Sequence, residues 1–126
     1  MMVVSGGIAS GKRTFLEQCG LLRGAAVYDA RDPQAGTASL LDASVVLHAE
    51  ELVRAEAVGS AVFEALLSKQ AITCTEVGSG VIPLTWEDRQ FRERAGALSA
   101  ALAKNASSVV RMVCGIPMVL KGRPCA

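Results

Sequence analysis

The sequence predicts an α/β protein with a mainly parallel central sheet and helices on both of its faces, a three-layer sandwich. Strand-like and helical segments alternate along the chain, the pattern produced by right-handed crossovers between parallel strands. The predicted strand at residues 44–47 is rich in β-branched residues, which is typical of a strand covered on both faces. With 126 residues, 51% of them hydrophobic, we expect one core and a single domain over residues 1–126.

The sequence pattern predicts six short strands and three helices. The predicted strands span residues 2–4, 25–28, 44–47, 71–75 and 108–114, with a short returning edge strand at 118–120. The predicted helices span about 12–19, 49–69 and 85–105, and residues 29–37 form a loop. Gly59 can bend or split the second helix at a cost of ~1 kcal/mol relative to alanine. Thr85 and Asp88 give the third helix an N-cap pattern.

The charge pattern limits the kinds of partner. The formal net charge is +1 and the basic residues are scattered, so we expect no nucleic-acid footprint and no polybasic membrane anchor. The apolar stretches are far shorter than the ~20 residues that cross a bilayer, and the first residues lack the features of an export signal. These observations predict a cytoplasmic protein that binds small molecules or other proteins.

The four cysteines show no metal-binding spacing. Cys19, Cys74, Cys114 and Cys125 lie on separate segments and form no C-x-x-C pair, which argues against a zinc site or a redox dithiol. We predict reduced thiols, as in other cytoplasmic proteins.

A glycine-rich turn after the first strand carries the strongest functional signal. Residues 6–12 (GGIASGK) fit the phosphate-loop motif G-x-x-x-x-G-K, and they lie between a strand and a helix as that motif requires. Backbone amides of such a loop bind phosphate, and Lys12 can bridge the outer phosphates. The predicted nucleotide-binding residues are Gly6, Gly7, Ala9, Ser10, Gly11, Lys12, Arg13 and Thr14.

The position after the lysine departs from the motif. A serine or threonine there normally ligates Mg²⁺, but this chain has Arg13, and Thr14 lies ~100° further around the helix. Arg13 either pairs with phosphate directly or is a solvated surface residue. We therefore expect ATP or GTP as ligand, with altered handling of Mg²⁺ and no residue assigned as a metal ligand.

Several segments together resemble the bifunctional adenosylcobinamide kinase and adenosylcobinamide-phosphate guanylyltransferase family of cobalamin biosynthesis. The matching segments are 4–7 (VSGG), 10–12 (SGK), 76–83 (EVGSGVIP), 91–93 (FRE), 95–96 (AG), 115–117 (GIP) and 120–121 (LK). The resemblance implies a RecA-like P-loop NTPase fold, a trimeric or other homo-oligomeric assembly, and phosphoryl transfer to the aminopropanol hydroxyl of adenosylcobinamide. It also implies subsequent transfer of GMP to that phosphate.

Two candidate catalytic residues follow. Lys12 would stabilise charge on the transferred group. Glu76 follows the strand at residues 71–75, so it should lie at the sheet edge where the phosphate loop opens. Its carboxylate would order Mg²⁺ or the attacking hydroxyl, although a glutamate in a loop is more often simply solvated.

The histidine content departs from the family. Relatives carry a guanylylated histidine between the second and third strands, but residues 30–42 contain none. The chain's one histidine, His48, occupies the position where the family usually has a Walker-B-like aspartate. We interpret it as a helix-start imidazole, a polar group beside a metal, or a guanylyl carrier. The departure predicts that guanylyl transfer by the family mechanism is lost.

Two main functional hypotheses remain. The first is a compact adenosylcobinamide kinase. The second is a nucleotide-binding relative that has lost catalysis and has a regulatory or partner-binding role, which Arg13, His48 and the missing histidine segment favour. An unrelated small P-loop kinase is a weaker third alternative.

Overall fold

The computed structural model describes residues 1–77 and 85–125, and within these ranges a single six-stranded sheet forms the centre of the molecule. Its strands are β1 (Met2–Gly6), β2 (Val27–Asp29), β3 (Val45–Leu47), β4 (Ala71–Thr75), β5 (Ser108–Val113) and β6 (Ile116–Lys121). Their order across the sheet is β2-β3-β4-β1-β5-β6. All neighbours pair in parallel except β5 and β6, which are antiparallel. The prediction of a mainly parallel sheet with a returning edge strand is confirmed.

Three α-helices connect these strands within the described ranges: α1 (Lys12–Gln18), α2 (Ser60–Leu67) and α3 (Trp86–Asn105). The predicted cap of α3 is confirmed, because the Thr85 hydroxyl oxygen accepts a hydrogen bond from the Asp88 amide at 3.1 Å. No helix over residues 1–77 and 85–125 has both the length and the apolar content that crossing a membrane would require.

Helices cover both faces of the sheet. Alternate residues of each strand point to opposite faces, so one strand contributes apolar side chains to two cores. On one face Val4 belongs to a core that includes Phe15 and Leu16 of α1. On the other face Val3 packs in a core with residues of α2 and α3, among them Leu102. The parallel strands therefore all end at one edge of a three-layer sandwich, and the connections that follow them meet there.

The predicted helical region over residues 49–69 is not continuous but is split before Ser60, as Gly59 was expected to allow. The chain forms a 3₁₀ segment at Ala49–Val53, leaves helical geometry, and begins α2 only after Gly59, which is its N-cap residue in an extended conformation. The position of Glu50 gives a physical reason. Its carboxylate accepts a hydrogen bond from the Thr75 amide at the end of β4, so the first turn is bound to the sheet edge.

The prediction of four reduced cysteines is also wrong for two of them. Cys19, directly after α1, forms a disulfide with Cys125, and their Cα atoms lie 5.8 Å apart. The two residues are 106 positions apart in sequence, so their spacing gave no signal. Cys74 and Cys114 are free thiols. Burial raises the pKa of the Cys74 thiol to about 12, so this side chain remains protonated and inert.

Replacing Leu102 by alanine tests the core beneath α3. The Leu102 side chain is completely buried, so Leu102→Ala should lower the free energy of unfolding by about 2–5 kcal/mol through lost transfer energy and a residual cavity. Urea unfolding followed by circular dichroism measures this change. The matched control is Leu41→Ala, because Leu41 is 77% exposed and its truncation should change stability by less than about 0.5 kcal/mol. Equal losses for the two variants would contradict the packing described.

Candidate functional site at the carboxyl edge of the sheet

The loop between β1 and α1 is held in a shape that only small residues allow. Gly6 has a φ of +156°, and a Cβ atom there would lie 2.7 Å from the Met112 carbonyl oxygen. Gly11 has a φ of +96°, in the left-handed region that favours glycine. The Ser10 carbonyl accepts a hydrogen bond from the Gly115 amide at 3.0 Å, so the turn between β5 and β6 supports the loop.

The polar groups of this loop have few partners within the protein. Among the residues that the structure describes, none accepts a hydrogen bond from the backbone amides of residues 7–11. The Ser10 hydroxyl is buried and likewise has no partner in the described part of the chain. A buried hydroxyl without a partner is costly, and the amides beside it are free to donate to a ligand. Within the described residues the loop therefore offers several unpartnered donor groups at one place.

Lys12 places its ammonium group inside this loop. The side chain is buried, and its Nζ atom donates hydrogen bonds to the carbonyl oxygens of Gly7 at 2.6 Å and Gly6 at 3.5 Å. Burial is the main cause that lowers the pKa of Lys12, and the Glu50 carboxylate partly opposes that effect. Within residues 1–77 and 85–125 no carboxylate lies within 4 Å of this amine. A phosphate group would supply the negative charge that it lacks.

The two residues after Lys12 both border a cavity but differ in their contacts. Arg13 and Thr14 line a space of about 300 Å³ together with Ala9–Lys12, Leu47, His48 and Thr73, here called the His48 cavity. Arg13 points to solvent, and its Nε atom lies 3.6 Å from a Glu17 carboxylate oxygen one turn along the helix. This places Arg13 in a surface ion pair, the solvated alternative considered above.

His48 forms the opposite wall of this cavity and is bound to an aspartate. Its Nδ1 atom lies 2.8 Å from Oδ1 of Asp29, which is the last residue of β2. The Asp29 carboxylate also accepts hydrogen bonds from the backbone amides of Arg31 and Asp32. Burial would raise the pKa of Asp29, but the His48 hydrogen bond and these amides outweigh it and hold the pKa below its ordinary value. Asp29 is therefore an ionised partner for the imidazole.

A second buried carboxylate, Glu50, lies behind the His48 cavity. One of its oxygens accepts a hydrogen bond from the Thr75 amide at 2.8 Å. The other accepts one from the Arg31 guanidinium at 3.2 Å. Arg31 also approaches Glu51 at 3.7 Å. Glu50 is thus occupied by structural partners, and it contributes negative potential near Lys12 rather than a free ligand.

Glu76 lies on the other side of the phosphate loop. Its amide donates to the Gly6 carbonyl at 2.8 Å, which fixes the end of β4 beside the end of β1. Its carboxylate forms a two-point pair with Arg111 of β5, with Oε1 at 2.7 Å from Nε and Oε2 at 3.2 Å from Nη2. The pair borders a second cavity of about 330 Å³, here called the Glu76 cavity, whose other walls are Gly7–Ser10 and Met112–Cys114.

The structure thus brings the predicted residues to one edge of the sheet but assigns some of them different partners. Lys12 and the loop face the His48 cavity, and Glu76 is held by Arg111. Residues 78–83 of the resembling segment lie outside the described residues. Sequence analysis missed Asp29, Glu50 and Arg111. A lone charge in the apolar β5 strand was the available signal for Arg111, since the neighbouring residues are hydrophobic.

The donor groups here do not form a site for Mg²⁺ by themselves. The described residues contain no group of three or more histidine, cysteine, aspartate or glutamate side chains that could hold a metal ion. Arg13 stands where the hydroxyl ligand is expected, and Glu50 and Glu76 are paired with arginines. These residues do not fit a protein-held Mg²⁺ ion, and no step is assigned to one.

The sheet and the site define an α/β protein with a lysine-containing, glycine-rich loop between two cavities. The family model "Cobinamide kinase / cobinamide phosphate guanyltransferase" matches residues 30–120, more than half of the chain. The chain belongs to this family. The matched range begins after the glycine-rich loop at residues 6–12, so it does not include that loop.

A curated relative shows the same affiliation over a shorter stretch. The chain is 40% identical over 53 residues to the "Bifunctional adenosylcobalamin biosynthesis protein CobP" of Pseudomonas aeruginosa. The aligned part covers 42% of this chain and 31% of that relative. The alignment therefore supports the family, while the relative is considerably longer than the matched segment.

The Asp29–His48 contact predicts an acid-sensitive contribution to stability. The pKa of Asp29 is lowered from its ordinary value of 3.8, so its ionised form stabilises the fold above that value. This contribution is lost as the pH falls through the lowered pKa. Asp29→Asn should therefore reduce the free energy of unfolding at neutral pH, and its difference from the unmodified protein should shrink toward zero at low pH. Urea unfolding between pH 7 and pH 2 measures both curves.

The control for this pH series is Glu64→Gln, on the exposed surface of α2. It should reproduce the unmodified curve within about 0.5 kcal/mol. A constant difference between Asp29→Asn and the unmodified protein over the whole pH range would contradict the ionised pairing.

Proposed function

We propose that this protein is a nucleotide-dependent adenosylcobinamide kinase-like enzyme of cobalamin biosynthesis, and that residues 1–126 form one RecA-like P-loop nucleotide-binding domain. The observation that carries the proposal is the buried Lys12 amine within a loop of unpartnered amides. This arrangement suits the outer phosphates of a nucleotide. Family membership supplies the acceptor, because its printed name describes a cobinamide kinase.

The proposed phosphoryl donor is ATP or GTP. Gly6, Gly7, Ala9, Ser10 and Gly11 would contribute the nest, while Thr14 borders the same space. Mg²⁺ would enter bound to the phosphate oxygens of the nucleotide, since Mg²⁺ retains most of its ligands from phosphates and water. Arg13 takes no part in this scheme beyond its surface pair with Glu17.

Lys12 and Glu76 have different proposed roles. Lys12 would exchange its carbonyl contacts for a phosphate oxygen and stabilise the charge that develops there. Glu76 is a poor base while both of its oxygens bind Arg111. We propose that it acts as a positioning residue, which orients the Arg111 guanidinium toward a nucleotide or acceptor group in the Glu76 cavity.

The guanylyl-transfer step is proposed to be lost. Residues 30–42 contain no histidine, and in the structure they carry only a short 3₁₀ segment, Pro33–Ala35. His48 is engaged by Asp29 on the neighbouring strand. Neither feature provides the guanylyl carrier that the resemblance implies.

A homo-oligomeric, trimeric assembly in the cytoplasm completes the proposal. Support for assembly comes from the open edge of the sheet, where β6 exposes apolar side chains on both faces. Ile116 and Leu120 are 65% and 60% exposed. Contiguous exposed apolar surface of this kind is characteristic of subunit contacts.

Lys12→Ala should weaken nucleotide binding strongly. Removing one charge-assisted contact to phosphate should cost about 1.5–3 kcal/mol of affinity, with or without Mg²⁺. Isothermal titration calorimetry with ATP and with GTP measures the dissociation constants. Lys104→Ala, on the exposed last turn of α3, is the matched control and should bind as the unmodified protein does. An unchanged dissociation constant for Lys12→Ala would remove the phosphate loop from the proposed function.

Turnover should require the nucleotide and the acceptor together. Incubation of the protein with labelled ATP or GTP, Mg²⁺ and adenosylcobinamide should yield phosphorylated adenosylcobinamide and no GDP-linked product. Chromatography of the labelled products detects both species, and Lys12→Ala is the inactive control. Nucleotide binding without any phosphorylated product would favour the catalytically inactive, partner-binding alternative.

A further inference from the structure

The end of β3 directs an imidazole toward the phosphate loop. His48 has a φ of +56°, a left-handed conformation that is unfavourable for a residue with a Cβ atom. Its backbone amide donates to the Thr73 hydroxyl oxygen at 2.9 Å, which holds the turn in place. The residue thereby becomes a wall of the His48 cavity, opposite the loop residues that precede α1.

The Asp29 contact fixes the chemical character of the imidazole ring. An ionised carboxylate can only accept hydrogen bonds, so Nδ1 carries the proton and donates to Asp29, which leaves Nε2 of the neutral ring as an acceptor. Within the described residues Nε2 has no hydrogen-bond partner. About a quarter of the side chain is exposed, so Nε2 can be reached by a molecule in the cavity.

Charged groups from every neighbouring element bear on this ring. Asp29 faces it from β2, and Glu50 and Glu51 lie on the 3₁₀ segment that follows it. Arg31 bridges those two glutamates from the β2 side, and Lys12 lies across the cavity. The direct contact is with the Asp29 carboxylate, whose Oδ1 atom lies 2.8 Å from Nδ1.

We propose that His48 is the general base that activates the acceptor hydroxyl, with Asp29 as its positioning residue. This inference rests on the proposed kinase function. The hydroxyl proton passes to His48 Nε2 as the oxygen forms a bond to the terminal phosphorus of the nucleotide. The bond from that phosphorus to the bridging oxygen breaks, and the nucleoside diphosphate leaves. His48 then releases its proton to water, so the cycle consumes only the alcohol and the nucleotide.

Steady-state kinetics of His48→Asn test the assignment directly. Asparagine tolerates the left-handed backbone, so the turn is preserved. We expect kcat for adenosylcobinamide phosphorylation to fall about 100-fold or more, the usual contribution of a general base, with a less than two-fold change in nucleotide dissociation constant.

Asp29→Asn separates a positioning role from a purely structural one. Loss of the carboxylate removes the acceptor that orients the ring, so kcat should fall about ten-fold while KM for adenosylcobinamide and the nucleotide dissociation constant change less than two-fold. A structural defect alone would weaken substrate and nucleotide binding together with the rate. Glu64→Gln should leave all of these values unchanged.

A spectroscopic measurement reports on the ring without turnover. The chain contains a single histidine, so ¹⁵N-histidine labelling gives one pair of imidazole signals. In the neutral ring we expect the proton on Nδ1 and none on Nε2. The Nε2 signal should shift when a non-hydrolysable analogue of the nucleotide and adenosylcobinamide are both bound. Asp29→Asn should change the ratio of the two tautomers.

Four outcomes would overturn the assignment in different ways. If the unmodified enzyme phosphorylates adenosylcobinamide and His48→Asn does so equally well, the base assignment fails while the kinase function stands. A neutral ring protonated on Nε2 would also refute it. If incubation with GTP adds one GMP to the intact protein at His48, the residue is a covalent carrier instead. Nucleotide binding that depends on Lys12 without any phosphoryl transfer would remove the proposed kinase function and the base together.

Discussion

The buried ammonium group of Lys12 is the constraint on which the rest of the site depends. A cation without a carboxylate partner is costly inside a protein, and among the residues that the structure describes only the carbonyl oxygens of Gly6 and Gly7 accept hydrogen bonds from this one. Those carbonyls are in place because β1 lies between β4 and β5 in the sheet. The loop after β1 is also hydrogen-bonded to the turn between β5 and β6. The central position of β1 therefore sets both the location of the charge and the positions of the two cavities beside it.

Much of this arrangement could be predicted from the sequence, because the determining signals are local. The apolar run before Gly6, the phosphate-loop spacing and the Thr85 cap each depend on residues close together in the chain. The alternation of strands and helices then requires parallel pairing, which places Lys12, His48 and Glu76 at one edge of the sheet. Family resemblance added the acceptor, which no local pattern specifies.

The remaining features depend on contacts between distant segments. Glu50 bonds to the amide of Thr75, and this contact replaces the first turns of the predicted long helix with a 3₁₀ segment. Asp29 belongs to β2, although the sequence pattern placed it in a loop. Only the pairing of β2 with β3 brings it beside His48. Arg111 and Glu76 are 35 residues apart and meet because their strands flank β1. Such pairings are set by topology, which spacing along the chain does not encode.

Because Cys19 and Cys125 form a disulfide, the free energy of unfolding of a sample depends on whether these two thiols are oxidised. It closes a covalent ring over 106 positions, so it restricts the conformations open to the denatured chain. In a chain-entropy description, a ring of about 100 residues is worth about 4–5 kcal/mol. Oxidised and reduced preparations of this chain are consequently two different thermodynamic systems, and melting curves are comparable only between samples with the same thiol content.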